Sequence, residues 1–395
     1  MGMLTLTDVE LSQDIGCLDR AWAADATFAL VPARSSVPRE WVMDALRRLP
    51  EPWRQGHFAL LTSGSTGQPK LIVGLRQRAE ALARLLDQVQ SGAAAAATVV
   101  ALPLTYCYAF VNQWLWSRVL GRRLILTQGF GEPESLRVVL AQARDTMLCL
   151  VGAQVPLLRR GMPDAVFPGV VRLHFAGGAF PQEHLDFLSD RFPNALIFNN
   201  YGCAEAMPRL TLRGAAASEQ GANIGWPLPG IALTAGADGR LLFRSPFAAV
   251  GVVDAAGIHA FSPDEWVESG DLAVPTADGS WVLSGRSNEV FKRYGEKVSL
   301  AQLIGSVRLV WVGEAAFYRE TDRQGEQGAV LVLAPSPSAD ELRRVLSALR
   351  AEYPRPHWPL RIEGADVLPR LPSGKIDNLR LAALERRAIV WKQRI

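Results

Sequence analysis

The residues best suited to chemistry lie in one short stretch, FALLTSGSTGQPKLIV, residues 58–73. Thr62, Ser63, Ser65 and Thr66 carry hydroxyls, Gly64 and Gly67 free the backbone, and Lys70 supplies an ammonium. Together they aim N–H, O–H and N⁺–H donors at one ligand, and phosphate is the ligand that accepts from all three. The spacing is not that of the strand, GxxxxGK[ST] and helix loop: Pro69 intervenes before Lys70, and Leu71 stands where a magnesium-binding hydroxyl belongs. A Ser/Gly-rich hairpin turn is the competing reading of the same residues.

Apolar runs must position this loop. Phe58 to Leu61 reads as a buried strand leading into it, and Arg76 to Gln90 has helical spacing with Ala79, Leu82, Leu85 and Leu86 on one face. Pro38 to Leu49 is a further helix, 91–97 an alanine-rich tether, and Thr98 to Leu104 a buried strand ending in LPLTYCYAFVNQWLW. The aromatics there, Tyr106, Tyr108, Phe110, Trp114 and Trp116, either wall a flat pocket or open a helix as core, and packing is the commoner fate. Leu124 to Thr127, Met147 to Val151 and Val171 to Phe175 are predicted buried strands between helices near 134–144 and 181–191, an α/β alternation. Their polar or glycine-rich ends, Ala176-Gly177-Gly178-Ala179 and Asn199-Asn200-Tyr201-Gly202, fall where ligands of open α/β sheets bind. From Gly221 to Gly285 short strands punctuated by Gly, Pro and Asp predict a compact β-rich subdomain. Beyond it lies a small α+β module. It has a helix near 299–305, strands near 307–318 and 328–334, a helix Ala339 to Glu352 capped by Ser338, a strand near 361–367, the loop LPRLPSGKID and a final helix.

Composition excludes several classes. With 395 residues, 49% of them hydrophobic, the chain is long enough for more than one domain with a sizeable core. A net charge of +3 from 42 basic and 39 acidic residues gives no global signal for nucleic acid or a membrane surface, although the part beyond Glu289 is mildly basic. Cys17, Cys107, Cys149 and Cys203 show no CxxC pairing, so neither disulfides nor a zinc site is expected. No signal sequence and no apolar run near 20 residues is evident, so the expected compartment is the cytoplasm. Oligomeric state has no signal in the sequence.

Read together and in order, the opening loop, NNYGCAEA, SGDLA, SGRSNEVFKRYGEKVS and LPSGKID resemble the motifs of the adenylate-forming superfamily of acyl-CoA synthetases, peptide-synthetase adenylation domains and luciferases. The resemblance runs from residue 62 to 377, and the early glycine-rich loop is similar to compact forms that activate small aryl acids. It implies a large N-terminal α/β domain (1–287, with the β-rich part at about 221–285) and a small mobile α+β domain (288–395). The implied reaction joins a small, aromatic carboxylic acid to ATP as acyl-AMP with release of pyrophosphate, then passes the acyl group to a phosphopantetheine thiol of an acyl or aryl carrier protein or of CoA. Two anions meet in the first step, so such a site needs positive charge, a metal and close positioning.

By resemblance, Thr62 to Lys70 hold the β- and γ-phosphates and Glu205 helps hold Mg²⁺. Tyr201, Gly177, Gly178 and Ala179 flank adenine. Asp271 accepts from the ribose hydroxyls with help from Arg286, and Lys375 bridges the carboxylate and the α-phosphate. Asn288 marks the hinge, Gly295 the thiol channel, and Lys292 a nucleotide contact in the second orientation. The substrate pocket falls to Tyr106, Cys107, Tyr108, Phe110, Gly178, Gly202 and Cys203. Two departures stand out: Ala204 replaces the family's threonine, and Tyr106-Cys107-Tyr108 replaces the His-Asn-Tyr of aryl-acid relatives. They leave a second reading, a non-catalytic nucleotide or acyl-adenylate binder, against which Lys375 and Glu205 weigh.

Overall fold

The computed structural model describes residues 4–35, 37–62, 69–90, 95–178, 180–216, 221–370, 376–383 and 387–393, apart from the side chains of Asn288, Lys297 and Leu379. The chain divides into two compact units, Met1–Ser269 with Val274–Val282, and Gly270–Ala273 with Leu283–Ile395. The first is α/β and the second a smaller α+β unit. Among the described residues no helix is long and apolar enough to cross a membrane, and all four cysteines are free.

The larger unit is built on two sheets. In the eleven-stranded sheet, Leu196–Tyr201, Val170–Phe175, Thr146–Leu150, Ala97–Val100 and Arg123–Leu126 lie side by side in that order and run parallel. Thr146–Leu150 is buried along its whole length, as a strand covered on both faces must be. One face meets helices Pro133–Gln142, Val155–Gly161 and Leu185–Arg191 through Leu136, Leu140, Leu158, Leu188 and the strand residues Leu148, Leu173 and Phe175. The second sheet orders Leu4–Thr7, Phe28–Val31, His57–Thr62, Lys70–Leu75, Gly251–Asp254 and Gly257–Ala260. Helix Arg39–Arg47 packs on it by Val42, Ala45 and Leu46, the i, i+3, i+4 face.

Several expectations need correction. The strand after the tether stops at Val100, because the buried Gln113 side chain takes over the chain there: its Oε1 accepts from Ala101 N–H at 2.9 Å and its Nε2 donates to the Leu102 carbonyl at 3.2 Å. Arg123–Leu126, expected buried, is the last strand of its sheet and is part-exposed. The strands of 221–285 do not close on themselves. Gly251–Asp254 pairs with Lys70–Leu75 in one sheet, whereas Asn223–Pro227 pairs with Thr211–Gly214 in the other. Hydrophobic pattern reports which residues strand, not which partner they choose.

In the smaller unit the four-stranded sheet orders Glu314–Thr321, Gln327–Ala334, Arg361–Gly364 and Ala388–Lys392. Helix Ala339–Glu352 begins as expected, with Ser338 and Glu341 forming a reciprocal capping box. Helix Leu300–Val310 runs longer than expected and pushes the next strand to Glu314. The described part of the final helix is Asn378–Ala383, and the chain then closes with a strand, Ala388–Lys392, that pairs with Arg361–Gly364. A separate hairpin, Val290–Arg293 with Glu296–Ser299, seats Phe291 and Val298 in the core of this unit.

Candidate active site

Three turns of the larger unit follow the C-terminal ends of parallel strands. Ala97–Val100 leads to Tyr106, Val170–Phe175 to Gly177 and Gly178, and Leu196–Tyr201 to Gly202 and Glu205. Parallel strands end on the same edge, so these turns share it, and such an edge is where α/β sheets present ligand groups. Thr62 and Lys70 face each other as the closing pair of a second-sheet hairpin. The hairpin reading of that stretch and the phosphate reading are therefore compatible. Ser63, Gly64, Ser65, Thr66 and Gly67 lie outside the described residues, as do Ala179 and Lys375.

The turn carrying Glu205 is fixed by its backbone. Leu210 N–H returns to the Tyr201 carbonyl at 2.8 Å, and Ala249 N–H donates to the Glu205 carbonyl at 2.9 Å. Gly202 sits so close to this return that a Cβ there would lie 1.8 Å from the Pro208 carbonyl oxygen. Glycine is required by space alone. Glu205 is half-buried on a single turn, Ala204–Ala206, and its charge, after burial, helps push the Cys107 thiol up. Among the described residues no three His, Cys, Asp or Glu side chains gather into a metal cage. A lone half-exposed carboxylate fits Mg²⁺, which takes one or two protein carboxylates and completes its shell with phosphate oxygens and water.

The aromatic stretch opens a helix whose Phe110–Leu115 portion is π-helical. Its residues part in two directions. Phe110 is fully buried against Trp22, Phe58 and Trp114, with ring centroids 5.8, 5.1 and 5.2 Å away, so it is core rather than pocket wall. Tyr106 remains part-exposed, its hydroxyl pushed up to about 12 mainly by burial and then by Asp8. Tyr108 is part-exposed as a residue, but its hydroxyl is sealed from solvent, which carries its pKa well above that of a free phenol, with Cys149 adding to the shift.

Sequence reading overlooked the residues beneath Tyr108. Arg209 is completely buried. Its Nε donates to Asn112 Oδ1 at 2.8 Å, its Nη1 to Asn200 Oδ1, and its Nη2 to no described atom. Asn112 in turn donates to the Tyr108 carbonyl at 2.9 Å, and Asn200 to the Phe175 carbonyl at 3.0 Å. Burial lowers the Arg209 pKa to about 10, and it holds His174 well below the usual imidazole value, with Arg209 and Arg172 contributing. The one available signal was an arginine between Pro208 and Leu210, four residues after Glu205, in an otherwise apolar run.

In the smaller unit, Asp271 and Arg286 form an ion pair at 3.2 Å, with the carboxylate buried and the guanidinium half-exposed. Glu289 stands by them, its pKa raised by burial against the pull of Arg286. Lys292 is exposed on the hairpin. Tyr294 and Gly295 form its two-residue turn with φ of 48° and 85°. Two positive φ values define the type I′ turn, so the backbone by itself explains glycine at 295. The hairpin is held by Arg293, whose Nη2 meets Asp322 Oδ2 at 2.9 Å with both side chains almost wholly buried.

Comparison with known proteins defines the class. Residues 16–242 match the AMP-binding enzyme family, and the chain belongs to it. It is 25% identical over 342 residues to the 2-hydroxy-7-methoxy-5-methyl-1-naphthoate–CoA ligase of Streptomyces carzinostaticus, covering 82% of this chain and 61% of that protein. It is 28% identical over 353 residues to a salicylyl-CoA synthase / salicylate adenylyltransferase of a Streptomyces species, covering 83% and 62%. The chain thus spans less than two thirds of the curated relatives it matches. Its fold is that of the Bacillus subtilis o-succinylbenzoate CoA synthetase (MenE) in complex with the acyl-adenylate intermediate OSB-AMP, with TM-score 0.75 and 17% identity over 98% of this chain and 89% of that one.

Proposed function

We propose that the protein is an adenylate-forming ligase that activates a small aromatic carboxylic acid as acyl-AMP and passes it to a phosphopantetheine thiol. The observation that carries this reading is the shared edge of the parallel strands. It presents Tyr106 to Tyr108, Gly177 to Gly178 and Tyr201 to Glu205 together, in a chain of the AMP-binding family.

In this reading Thr62 and Lys70 hold the outer phosphates with the loop between them, and the exposed Gly177 and Gly178 leave a side-chain-free face for adenine. Glu205 holds Mg²⁺, which when bound neutralises phosphate charge. Asp271, oriented by Arg286, accepts from the ribose hydroxyls. Lys375 places its ammonium where charge builds between carboxylate and α-phosphorus. Residues 1–287 form the adenylation core and 288–395 a small domain that swings at Asn288, carrying Lys292 and Gly295 into place for thioester formation. The acceptor is a carrier protein or CoA, and the relatives' aryl-acid names support the aromatic substrate.

The test is acid-dependent exchange of labelled pyrophosphate into ATP across benzoates, cinnamates, short fatty acids and amino acids. Exchange with an aryl acid, lost by about 10²-fold or more in Lys375→Ala, is expected. A folded sample that binds ATP but exchanges with none of them, or a Lys375→Ala variant of unchanged activity, would overturn the reading.

A further inference from the structure

Along the site edge the parallel strands pair as far as Val100, Phe175 and Asn199. The turns that follow, with Tyr106, with Gly177 and Gly178, and with Glu205, lie beyond those parallel pairs, so other groups must hold them to one another. A run of buried side-chain hydrogen bonds does so. Gln113 Oε1 accepts from Ala101 N–H at 2.9 Å and its Nε2 donates to the Leu102 carbonyl at 3.2 Å, which fixes the first strand end. Asn112, the residue before it in the same π-helical segment, donates to the Tyr108 carbonyl at 2.9 Å and accepts from Arg209 Nε at 2.8 Å. Arg209 Nη1 donates to Asn200 Oδ1, and Asn200 Nδ2 donates to the Phe175 carbonyl at 3.0 Å. Gln113, Asn112 and Arg209 are fully buried and Asn200 nearly so.

Arg209 is where this run crosses from one segment to another. It stands on the returning arm of the turn that carries Glu205, which Leu210 N–H closes on the Tyr201 carbonyl at 2.8 Å. Stability alone does not account for it. Its partners are neutral amides and its Nη2 has no described acceptor, so the charge loses water without gaining a counter-charge. An apolar side chain of similar length is cheaper to bury. What an apolar side chain lacks is direction: the planar guanidinium fork holds two amides at set angles, which the point charge of lysine does not. The π-helical segment agrees, since such turns are rare and are found mostly at functional sites. Here it supplies two consecutive buried amides, Asn112 and Gln113, to the run.

We propose that Arg209 is a positioning residue: through Asn112 and Asn200 it clamps the three turns of the site in one register, so that the groups holding acid, adenine and metal keep their separation. It acts through the turns and touches no reactant. A displacement of about 1 Å between reacting groups costs a rate about 10²-fold, and each reactant can still bind. This inference rests on the adenylating role proposed above.

The experiment combines steady-state pyrophosphate exchange, equilibrium binding of ATP with Mg²⁺, and amide hydrogen exchange on the full chain. In Arg209→Met, kcat per folded molecule should fall by about 10²-fold while ATP binding stays within about threefold of the wild type, and Arg209→Lys should recover part of the rate. Asn112→Ala should quicken hydrogen exchange at 201–207, and Asn200→Ala at 105–108, each by about tenfold. Neither distant effect should appear when the same substitution is made in Arg209→Met, because the link is already cut. A residue that only packs would lower stability and loosen 206–211, with kcat per folded molecule unchanged and no crossed effect, and that result overturns the proposal. If Arg209→Met does not fold, the two asparagine variants still decide: crossed effects that weaken in Arg209→Lys support the clamp, and their absence overturns it. If no acid drives pyrophosphate exchange yet the crossed effects appear, the clamp stands and the adenylating role fails. If pyrophosphate exchange proceeds without crossed effects, the clamp alone fails.

Discussion

Asp322→Asn is the substitution from which the structure predicts most. Asp322 Oδ1 accepts from Gln324 N–H at 2.9 Å and Glu326 N–H at 3.0 Å, and Oδ2 accepts from Arg293 at 2.9 Å. Arg293 also donates to the Gln327 carbonyl at 3.1 Å, and Tyr294 reaches Glu326 and Gln324 at 3.0 and 2.8 Å. Asparagine keeps one acceptor oxygen for the turn but sets an N–H₂ against the guanidinium, leaving a charge that is only 3% exposed without its partner. Removing one member of a buried pair costs about 3–5 kcal/mol, and the retained oxygen places this variant near the lower figure, ~3 kcal/mol. Phe291 and Val298 still anchor the hairpin in the core, so the loss is local. Amide hydrogen exchange should therefore quicken by roughly 10²-fold at 290–299 and 322–327 and stay unchanged in the helix Ala339–Glu352. If the hairpin serves the thiol-transfer step, thioester formation should slow while pyrophosphate exchange persists. Unaltered exchange at the hairpin, or equal loss in both half-reactions, would refute the reasoning.

Two other perturbations test the larger unit. Gly202→Ala places a Cβ 1.2 Å inside the 3.0 Å limit from a backbone carbonyl that cannot rotate away. A loss of about 1–3 kcal/mol in urea titrations is expected, with a matching drop in ATP-dependent activity as the Glu205 turn shifts. His174 is held neutral in the fold but protonates near its ordinary 6.5 once unfolded. Unfolding therefore takes up a proton as pH falls below that value. The unfolding free energy from urea titrations should decline with falling pH, by at most about 1.4 kcal/mol per pH unit for this residue, and His174→Gln should flatten the slope.

Much of the architecture follows from local residue order. Apolar runs ending in glycine or polar turns mark the parallel strands, because burial on both faces requires continuous hydrophobicity. Ser338 and Glu341 start their helix by reciprocal bonding that needs no distant partner. Ordered motifs disclosed the AMP-binding family for the same reason: each is a short segment whose residue types are written consecutively and need no distant partner to be read.

What tertiary structure alone decided is how segments far apart pair. Gly251–Asp254 joins Lys70–Leu75 across 176 residues of sequence or more, and nothing in either strand specifies the other, since ladder hydrogen bonds are made by backbone common to all residues. Phe110 and Tyr108 illustrate the same point at the site. Both were candidate pocket residues; packing sends Phe110 into the core against Trp22 and Phe58, while Tyr108 stays part-exposed with its hydroxyl sealed. Arg209 itself carried no motif. Its meaning lies in being buried beside Asn112 and Asn200, 97 and 9 residues away, because an unpaired charge becomes costly, and so informative, only where the fold removes water from it.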